Sequence, residues 1–131
     1  ECLSREAVAA LCVELSRRHA SCLRRNAHAL DAPVVIRVQD AFAAARQLTE
    51  RNEQFDFILA DPPYGEKNKD CRSESLAQKL IDDENLPSLL TEAGRLLLGH
   101  ARRDQLEIPA PWDEIKTLKH GDNWIRILAL K

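Results

Sequence analysis

The tetrapeptide Asp61-Pro62-Pro63-Tyr64 follows directly on an apolar segment, residues 55–60, and combines residue types that could do chemistry. Each proline fixes φ and removes an N–H donor, so the backbone stays extended and its carbonyls point outward. A carboxylate, a free carbonyl and an aromatic face held together can grip a planar group with an exocyclic amine. Asp61 and the Pro62 carbonyl would accept the two amine hydrogens and direct the nitrogen lone pair toward an electrophile, while Tyr64 stacks on the ring. The alternative interpretation is a plain Pro-Pro turn after a strand.

Acidic residues close three successive strand-like segments of the chain. Glu14, Asp40 and Asp61 each follow directly on an apolar or β-branched run. An acidic residue in this position commonly caps the helix that follows a strand, which would explain any one of the three. Three in succession also fit ligand binding, because the ligands of parallel α/β sheets lie outside the carboxyl ends of the strands.

The periodicity of the chain alternates between strand-like and helix-like segments. In chain order, the pattern predicts a strand at 9–13, a helix at 16–30, a strand at 34–39, a helix at 41–51, a strand at 55–60, a mobile polar loop at 66–73, short helices at 75–81 and 86–92, and a strand at 95–98. The turn signal Gly121-Asp122 then joins residues 112–118 and 123–130 in a hairpin. The predicted fold class is therefore α/β, with an open, mostly parallel sheet and a C-terminal antiparallel hairpin.

The composition is that of an ordinary globular protein. Of 131 residues, 44% are hydrophobic and 31% are charged, and 19 Lys+Arg against 21 Asp+Glu give a net charge of −2. These values exclude collagen-like and strongly disordered chains and a uniformly basic nucleic-acid-coating protein, but not a local basic patch. No apolar run approaches the roughly 20 residues that span a bilayer. We expect one domain over residues 1–131, and the start at Glu1 with no Met anywhere indicates a piece of a longer protein.

The spacing of cysteine and histidine predicts no metal site. No two cysteines are two to four residues apart, and the four histidines show no ligand spacing either. We interpret the cysteines as small, partly buried thiols in a reducing compartment. The expected protein is therefore cytoplasmic and free of disulfides. The four cysteines are Cys2, Cys12, Cys22 and Cys71.

The tetrapeptide and its surroundings resemble a known family. (Asp/Asn/Ser)-Pro-Pro-(Tyr/Phe/Trp) after the fourth strand is the signature of S-adenosylmethionine-dependent amino-methyltransferases that act on nucleic-acid bases. More narrowly, the chain resembles the bacterial RsmD-type enzymes, which methylate the N2 amino group of a guanine in small-subunit ribosomal RNA. The matches run almost end to end, and they comprise residues 1–5, 13–14, 23–26, 39–41, 55–64 and 94–97 and the hairpin with Trp112, His120 and Gly121.

The resemblance implies a fold, a cofactor, partners and roles for individual residues. It implies a Rossmann-like methyltransferase sheet, S-adenosylmethionine as cofactor, and ribosomal RNA or a precursor of the small ribosomal subunit as partner of a monomeric enzyme. Methyl transfer would be direct attack of the amino nitrogen on the sulfonium methyl, catalysed by positioning, and a paired guanine would first be flipped out. The implied catalytic residues are Asp61, Pro62, Pro63 and Tyr64. The implied cofactor-binding residues are Glu14 for the ribose, Asp40 and Ala41 for the adenine, and Asp61.

One part of the family pattern is missing from the chain. The glycine-rich loop that receives the methionine part of the cofactor, with the first strand before it, should lie immediately upstream of Glu1. In the family that strand is central, between the strands that we predict at 9–13 and 55–60, so these two strands could not both keep their usual neighbours. We therefore expect the 131 residues alone to bind the cofactor weakly or not at all.

Basic residues after the tetrapeptide suit contact with RNA phosphates, and they are Lys67, Lys69 and Arg72. A solvated face fits the arginines at 17–25 better, and hairpin packing fits Trp112 and Trp124. Two other functions stay open. Adenine N6 or cytosine N4 of DNA offers the same kind of amine, and a non-catalytic remnant could act as a binding module. The flanking matches, and the lack of an obvious target-recognition domain, favour ribosomal RNA.

Overall fold

The computed structural model describes residues 1–68 and 71–131, which form two compact units, residues 1–44 and 45–131. The first unit contains a 3₁₀ turn (Leu3–Arg5), strand β1 (Ala10–Glu14), helix α1 (Arg17–Ala29) and strand β2 (Val34–Val38). Helix α2 (Ala41–Glu50) begins in the first unit and ends in the second. The second unit continues with β3 (Phe55–Ala60), α3 (Leu76–Asp82), a 3₁₀ turn (Pro87–Leu89), β4 (Leu90–Ala101), β5 (Trp112–His120) and β6 (Asn123–Leu130).

In the first unit, β1 and β2 form a parallel pair that α1 connects. Glu14 pairs with Val38, so both strands end at the same edge of the pair. Parallel neighbours need a crossover of this kind, because a tight turn can join only antiparallel strands. Ser16 begins α1, where its hydroxyl accepts a hydrogen bond from the His19 N–H at 3.3 Å. The unit is therefore a βαβ arrangement with both carboxyl ends on one side.

The second unit is built on a four-stranded sheet in the order β3-β4-β6-β5. Strand β3 is parallel to β4, and the pairs β4–β6 and β6–β5 are antiparallel. The core of this unit lies where leucines of neighbouring strands meet, since Leu96 pairs with Leu128 and both are fully buried. Trp112 of β5 is buried as well, and its Nε1 donates a hydrogen bond to the Ile81 carbonyl of α3 at 2.8 Å. Helix α3 is thereby bonded to the sheet.

The predicted hairpin is confirmed, and the reason is the residue at its turn. His120 pairs with Asn123, which leaves Gly121 and Asp122 as the two-residue connection. Gly121 has a φ of +58°, in the left-handed region that a residue without a Cβ adopts at no steric cost. This turn places Asn123 and Trp124 opposite the last residues of β4, because Ala101 pairs with Asn123 and His100 with Trp124.

One prediction about the secondary structure is corrected. The predicted helix at 86–92 is wrong, because only a 3₁₀ turn (Pro87–Leu89) precedes β4, in which Leu90 pairs with Phe55 and is buried. The strands lie in two sheets, which agrees with the expectation that the strands at 9–13 and 55–60 cannot both keep their usual neighbours. Within the described residues, β1 pairs only with β2, and β3 pairs only with β4. Strands β1 and β3 thus have one neighbour each.

Membrane-spanning helices, cysteines and metal-binding groups can be assessed over the described residues as a whole. No helix in this part of the chain is long and apolar enough to cross a membrane. The cysteines in it are free thiols, half-buried at Cys12 and Cys22 and exposed at Cys2 and Cys71. Residues 1–68 and 71–131 contain no group of three His, Cys, Asp or Glu side chains that could hold a metal ion.

Candidate functional site

A cavity of about 380 Å³ lies at the carboxyl end of β3 in the second unit. Its size is that of a small-molecule site. Strand β3 and the tetrapeptide that follows it form one wall, and β4 and β6 form the others. The lining residues are Leu59, Ala60, Asp61, Tyr64, Leu97, Gly99, Asn123, Trp124 and Ile125. The structure thus brings two residues of the tetrapeptide together with residues far away in the sequence.

The Asp61 carboxylate lies on the wall of this cavity and against the backbone of β4. A Cβ placed on Gly99 would lie 3.2 Å from the Asp61 Cγ and closer still to its Oδ1. Only a residue without a side chain leaves room for the carboxylate there. No side-chain hydrogen bond or ion pair within residues 1–68 and 71–131 uses this carboxylate. Its acceptor oxygens are therefore available to a ligand in the cavity.

Adding a methyl group at Gly99 should impair the site without unfolding the protein. We expect Gly99→Ala to lower the rate of the reaction that the cavity supports about tenfold, because the new Cβ displaces the Asp61 carboxylate and misplaced groups lose much of their catalytic effect. The measurement is a double-mutant cycle with Asp61→Ala. In that background Gly99→Ala should cost nothing further, since the displaced group is already gone. Equal losses in both backgrounds would show that Gly99 does not act through Asp61.

The aromatic side of the cavity is formed by Tyr64 and Trp124. Tyr64 is 46% exposed, so much of its ring is open to a ligand. The Trp124 ring packs edge-on against His100, with centroids 6.1 Å apart and an interplanar angle of 82°, and the Lys119 Nζ lies 4.7 Å from its centroid. These contacts hold the indole in place. Trp112 has the packing role expected of it, whereas Trp124 also lines the cavity.

His100 supports Trp124 from a buried hydrogen-bond network. Its Nδ1 lies 3.0 Å from the Ala101 carbonyl and 3.1 Å from that of Asp104, and its Nε2 lies 3.1 Å from the Arg126 Nε. Because Arg126 can only donate, Nε2 must accept, and the ring proton is on Nδ1. Burial, together with the nearby Arg126 charge, holds the pKa of His100 below its ordinary value. The folded protein therefore keeps this imidazole neutral.

Because His100 is neutral in the folded protein, the stability of the protein should depend on pH. The free energy of unfolding should fall as the pH drops from about 7.5 to about 5.5. In the unfolded chain His100 binds a proton with an ordinary pKa of about 6.5, whereas in the folded protein its pKa is lower and it stays neutral. This contribution is complete above about pH 6.5 and is lost below it. Urea denaturation at both pH values should show a smaller fall in His100→Gln, in which all other titrating groups are retained. The same fall in both proteins would contradict the assignment.

The segment after Tyr64 is tied to residues 103–107 of the same unit. The Asn68 Nδ2 donates to the Gln105 carbonyl at 3.1 Å, and the buried Ser73 hydroxyl donates to Asp104. Arg72 forms ion pairs with Asp82 at 2.6 Å and with Glu107 at 3.0 Å. The guanidinium of Arg72 lowers the pKa of the Asp82 carboxyl. These bonds argue against the mobility predicted for the described part of this loop.

The three basic residues predicted to bind RNA have different surroundings. Lys67 is exposed, and Lys69 lies outside the described residues. The charge of Arg72 is already paired with two carboxylates, so phosphate would have to compete with Asp82 and Glu107 for it. RNA binding by these residues stays a prediction.

The residues predicted to bind the cofactor in the first unit lie at the ends of its two strands. Glu14 ends β1, and its Oε1 accepts the Ser16 N–H at 2.7 Å. Asp40 follows β2, and its Oδ1 accepts the N–H groups of Phe42 and Ala43 at 2.9 and 3.0 Å. Asp40 therefore caps α2, whereas the cap of α1 is Ser16, whose own N–H Glu14 binds. Each carboxylate uses one oxygen for these bonds, and Ala41 is the first residue of α2.

Gly99, Asn123 and Trp124 are among the lining residues that the sequence did not assign to the site. Gly99 carried a readable signal, because a glycine inside an apolar strand often marks a close approach of backbone or side chain. Asn123 and Trp124 carried none beyond their place after the hairpin turn. They reach the cavity because β6 pairs with β4, which no local pattern encodes.

Comparison with known proteins identifies both a family and a fold. The model of the family described as conserved hypothetical protein 95 matches residues 1–129. Among solved structures, the chain resembles a candidate methyltransferase named yhhF from Escherichia coli, with a TM-score of 0.77 and 19% identity over 100% of this chain and 67% of that one. No curated protein matches the chain in sequence.

Two further structures add to the comparison. One is a candidate methyltransferase in complex with SAH, with a TM-score of 0.70 and 13% identity over 93% of this chain and 39% of that one. The other is the 16S rRNA methylase RmtB, with a TM-score of 0.63 and 14% identity over 98% of this chain and 50% of that one. Similarity at these identities shows the fold, and it confirms the predicted Rossmann-like methyltransferase fold of the α/β class.

Proposed function

The chain belongs to the family described as conserved hypothetical protein 95, and on this premise we propose that it transfers a methyl group from S-adenosylmethionine to the exocyclic amino group of a base in RNA. The amino group is guanine N2 of small-subunit ribosomal RNA. The matched family and fold support an RsmD-type methyltransferase. The substrate rests on the resemblance of the tetrapeptide and its flanking residues to that family.

The observation that carries this proposal is the unpaired Asp61 carboxylate in a cavity with two aromatic walls. An unpaired carboxylate on a cavity wall can accept hydrogen bonds from a ligand, and an exocyclic amine supplies two N–H groups. Tyr64 and Trp124 offer ring faces on which a base can stack. An active site that grips an amino-bearing base needs both features. A structural Pro-Pro turn needs neither.

The residues of the chain would act mainly by positioning. Asp61 and the Pro62 carbonyl accept the two amine hydrogens, which keeps the nitrogen lone pair out of conjugation with the ring. Pro63 keeps the backbone extended, so that Tyr64 reaches the base. When bound, S-adenosylmethionine supplies an activated methyl group that an amine can attack directly. Holding the two reacting groups in line lowers the barrier by fixing orientation before the reaction.

The carboxylates of the first unit suit the hydroxyl and amino groups of the cofactor. Glu14 and Asp40 stand at the carboxyl ends of adjacent parallel strands, where α/β folds bind nucleotides. Each uses one oxygen to bond the backbone after its strand, and the second oxygen can accept a hydrogen bond from the ligand. We assign Glu14 to the ribose, Asp40 and the Ala41 N–H to the adenine, and Asp61 to the side of the cofactor that carries the methyl group.

The proposed partner is ribosomal RNA or a precursor of the small ribosomal subunit, and the enzyme acts as a cytoplasmic monomer. Within such a substrate the guanine has to leave its stack before its N2 can reach Asp61. Lys67, Lys69 and Arg72 are the residues that the resemblance and the sequence assign to RNA contact. Residues 1–131 form a single methyltransferase domain in this proposal.

The test of the proposed function is a transfer assay with labelled S-adenosylmethionine and paired substrates. RNA and DNA oligonucleotides of the same sequence are incubated with the protein, digested to nucleosides and analysed by mass spectrometry. N2-methylguanosine from RNA supports the proposal. Methylated adenine or cytosine from DNA would instead identify the protein as a methyltransferase of adenine N6 or cytosine N4 in DNA. No product from either, with Asp61 intact and binding of S-adenosylmethionine demonstrated in the same sample, would favour the non-catalytic binding module.

A further inference from the structure

Three cationic residues lie beside residues of the Asp61 cavity, two of them held there by their side chains and Arg102 by its backbone. Lys119 lies over the ring of Trp124, with its Nζ 4.7 Å from the centroid. The Arg103 Nε donates to the Gly65 carbonyl at 3.2 Å, directly after Tyr64. The Arg102 N–H donates to the Asp122 carbonyl at 2.8 Å, directly before Asn123. We call Arg102, Arg103 and Lys119 the basic rim.

The charges of the basic rim are not neutralised within the described part of the chain. All three side chains are exposed. The ion pairs of lysine and arginine in residues 1–68 and 71–131 involve other cations, namely Arg5, Arg72 and Arg126. Arg103 uses only its Nε in the bond to Gly65, so both terminal nitrogens of the guanidinium can bind an anion. The rim is therefore free to bind an external anion.

Cations beside a cavity with aromatic walls are typical of proteins that bind single-stranded nucleic acid. Proteins that bind single-stranded nucleic acid combine a basic track for the phosphates with aromatic rings that stack on the bases. The cavity here provides Tyr64 and Trp124 as rings, and the rim provides the cations next to them. A nucleotide whose base enters the cavity would bring its own phosphate, and those of its neighbours, to the rim.

We propose that Arg102, Arg103 and Lys119 bind the phosphates of an RNA strand on either side of the nucleotide whose base occupies the cavity. The inference rests on the proposed function for the identity of that base. Arg72 differs from these residues because Asp82 and Glu107 already neutralise it. The main phosphate contact therefore lies at the rim, from the end of β4 to the β5–β6 hairpin.

The test measures how salt weakens binding of a single-stranded RNA oligonucleotide, by fluorescence anisotropy and without cofactor. The triple variant Arg102→Ala, Arg103→Ala, Lys119→Ala should bind less tightly at low salt. Its slope of log affinity against log salt should be shallower by about 2, because each lost phosphate contact to a single strand removes about 0.7. The control Arg51→Ala, Lys79→Ala, Lys131→Ala removes the same charge from exposed positions of the second unit that do not line the cavity. The control should keep the wild-type slope.

The outcomes separate the basic rim from the proposed function. An unchanged slope in the rim variant, or an equal change in both triple variants, would overturn the assignment of the rim, even if the wild-type protein methylates RNA. A shallower slope in the rim variant alone supports the rim, even if no methyl transfer is detected. Tighter wild-type binding to DNA of the same sequence than to RNA would contradict RNA as the partner. Circular dichroism of each variant shows whether it is folded before its slope is compared.

Discussion

Replacing Asp61 with alanine is expected to reduce methyl transfer by on the order of 10² to 10³-fold, while the protein stays folded. The carboxylate lies on the wall of the cavity and is not used in a hydrogen bond or ion pair by any described residue. Its removal takes away the acceptor that orients the amine. Because the side chain is exposed, the free energy of unfolding should change by no more than about 0.5 kcal/mol. Steady-state transfer and urea denaturation measure the two quantities.

Two further variants make this expectation specific. Asp61→Asn keeps one acceptor oxygen and should retain more activity than Asp61→Ala. Asp56→Ala removes an exposed carboxylate from β3, the strand that Asp61 follows, and should leave the transfer rate unchanged; this carboxylate accepts a hydrogen bond from the Thr91 hydroxyl at 3.0 Å. If Asp61→Ala and Asp56→Ala had equal activity, the carboxylate at position 61 would have no special role.

The largest expected effect on stability is at Trp112. We expect Trp112→Ala to lower the free energy of unfolding by about 3–5 kcal/mol, because it empties a fully enclosed site and leaves the Ile81 carbonyl without its donor. Trp112→Phe keeps most of the packing and loses the hydrogen bond, so its loss should be about 1–3 kcal/mol. Urea denaturation of the three proteins measures the series.

A matched control for Trp112 lies on the same strand. Ile115 is 53% exposed and has no partner in the register between β5 and β6, where the pairing shifts between Glu114 and Lys116. Ile115→Ala should therefore cost less than about 1 kcal/mol. A Trp112→Ala loss as small as that of Ile115→Ala would contradict the packing of α3 against the C-terminal hairpin.

The elements that could be predicted are those in which several local signals agree. At α1 the capping Ser16, the helix-forming residues and the breaking Pro33 all indicate the same boundaries, and the helix runs from Arg17 to Ala29. At the hairpin, the turn residues Gly121 and Asp122 agree with the strand-like segments on either side of them. Residues 86–92 lack this agreement. They contain helix-forming residues, but Leu90 is paired with Phe55 and buried, and tertiary contacts of this kind outweigh helix propensity.

Only the part of the candidate site that lies within the tetrapeptide could be predicted, and the residues distant from it in the sequence could not. Asp61 and Tyr64 could be recognised because the tetrapeptide combines their chemistry within four positions. Gly99, Asn123 and Trp124 lie 35 or more positions away and join the cavity only through the order β3-β4-β6. The basic rim depends on the same order. Strand pairing is a long-range property, so the part of the cavity that β4 and β6 contribute could not be predicted from local patterns.

The most direct test of the proposed function is whether the exocyclic amine is the methyl acceptor. The measurement is methyl transfer to an RNA substrate, identified in the transfer assay, compared with a copy in which inosine replaces the target guanosine. Inosine lacks only the N2 amino group of guanosine, so we expect the copy to bind but to accept no methyl group at that position. Equal methylation of both RNAs would contradict the role of Asp61 and Pro62 in holding an amine.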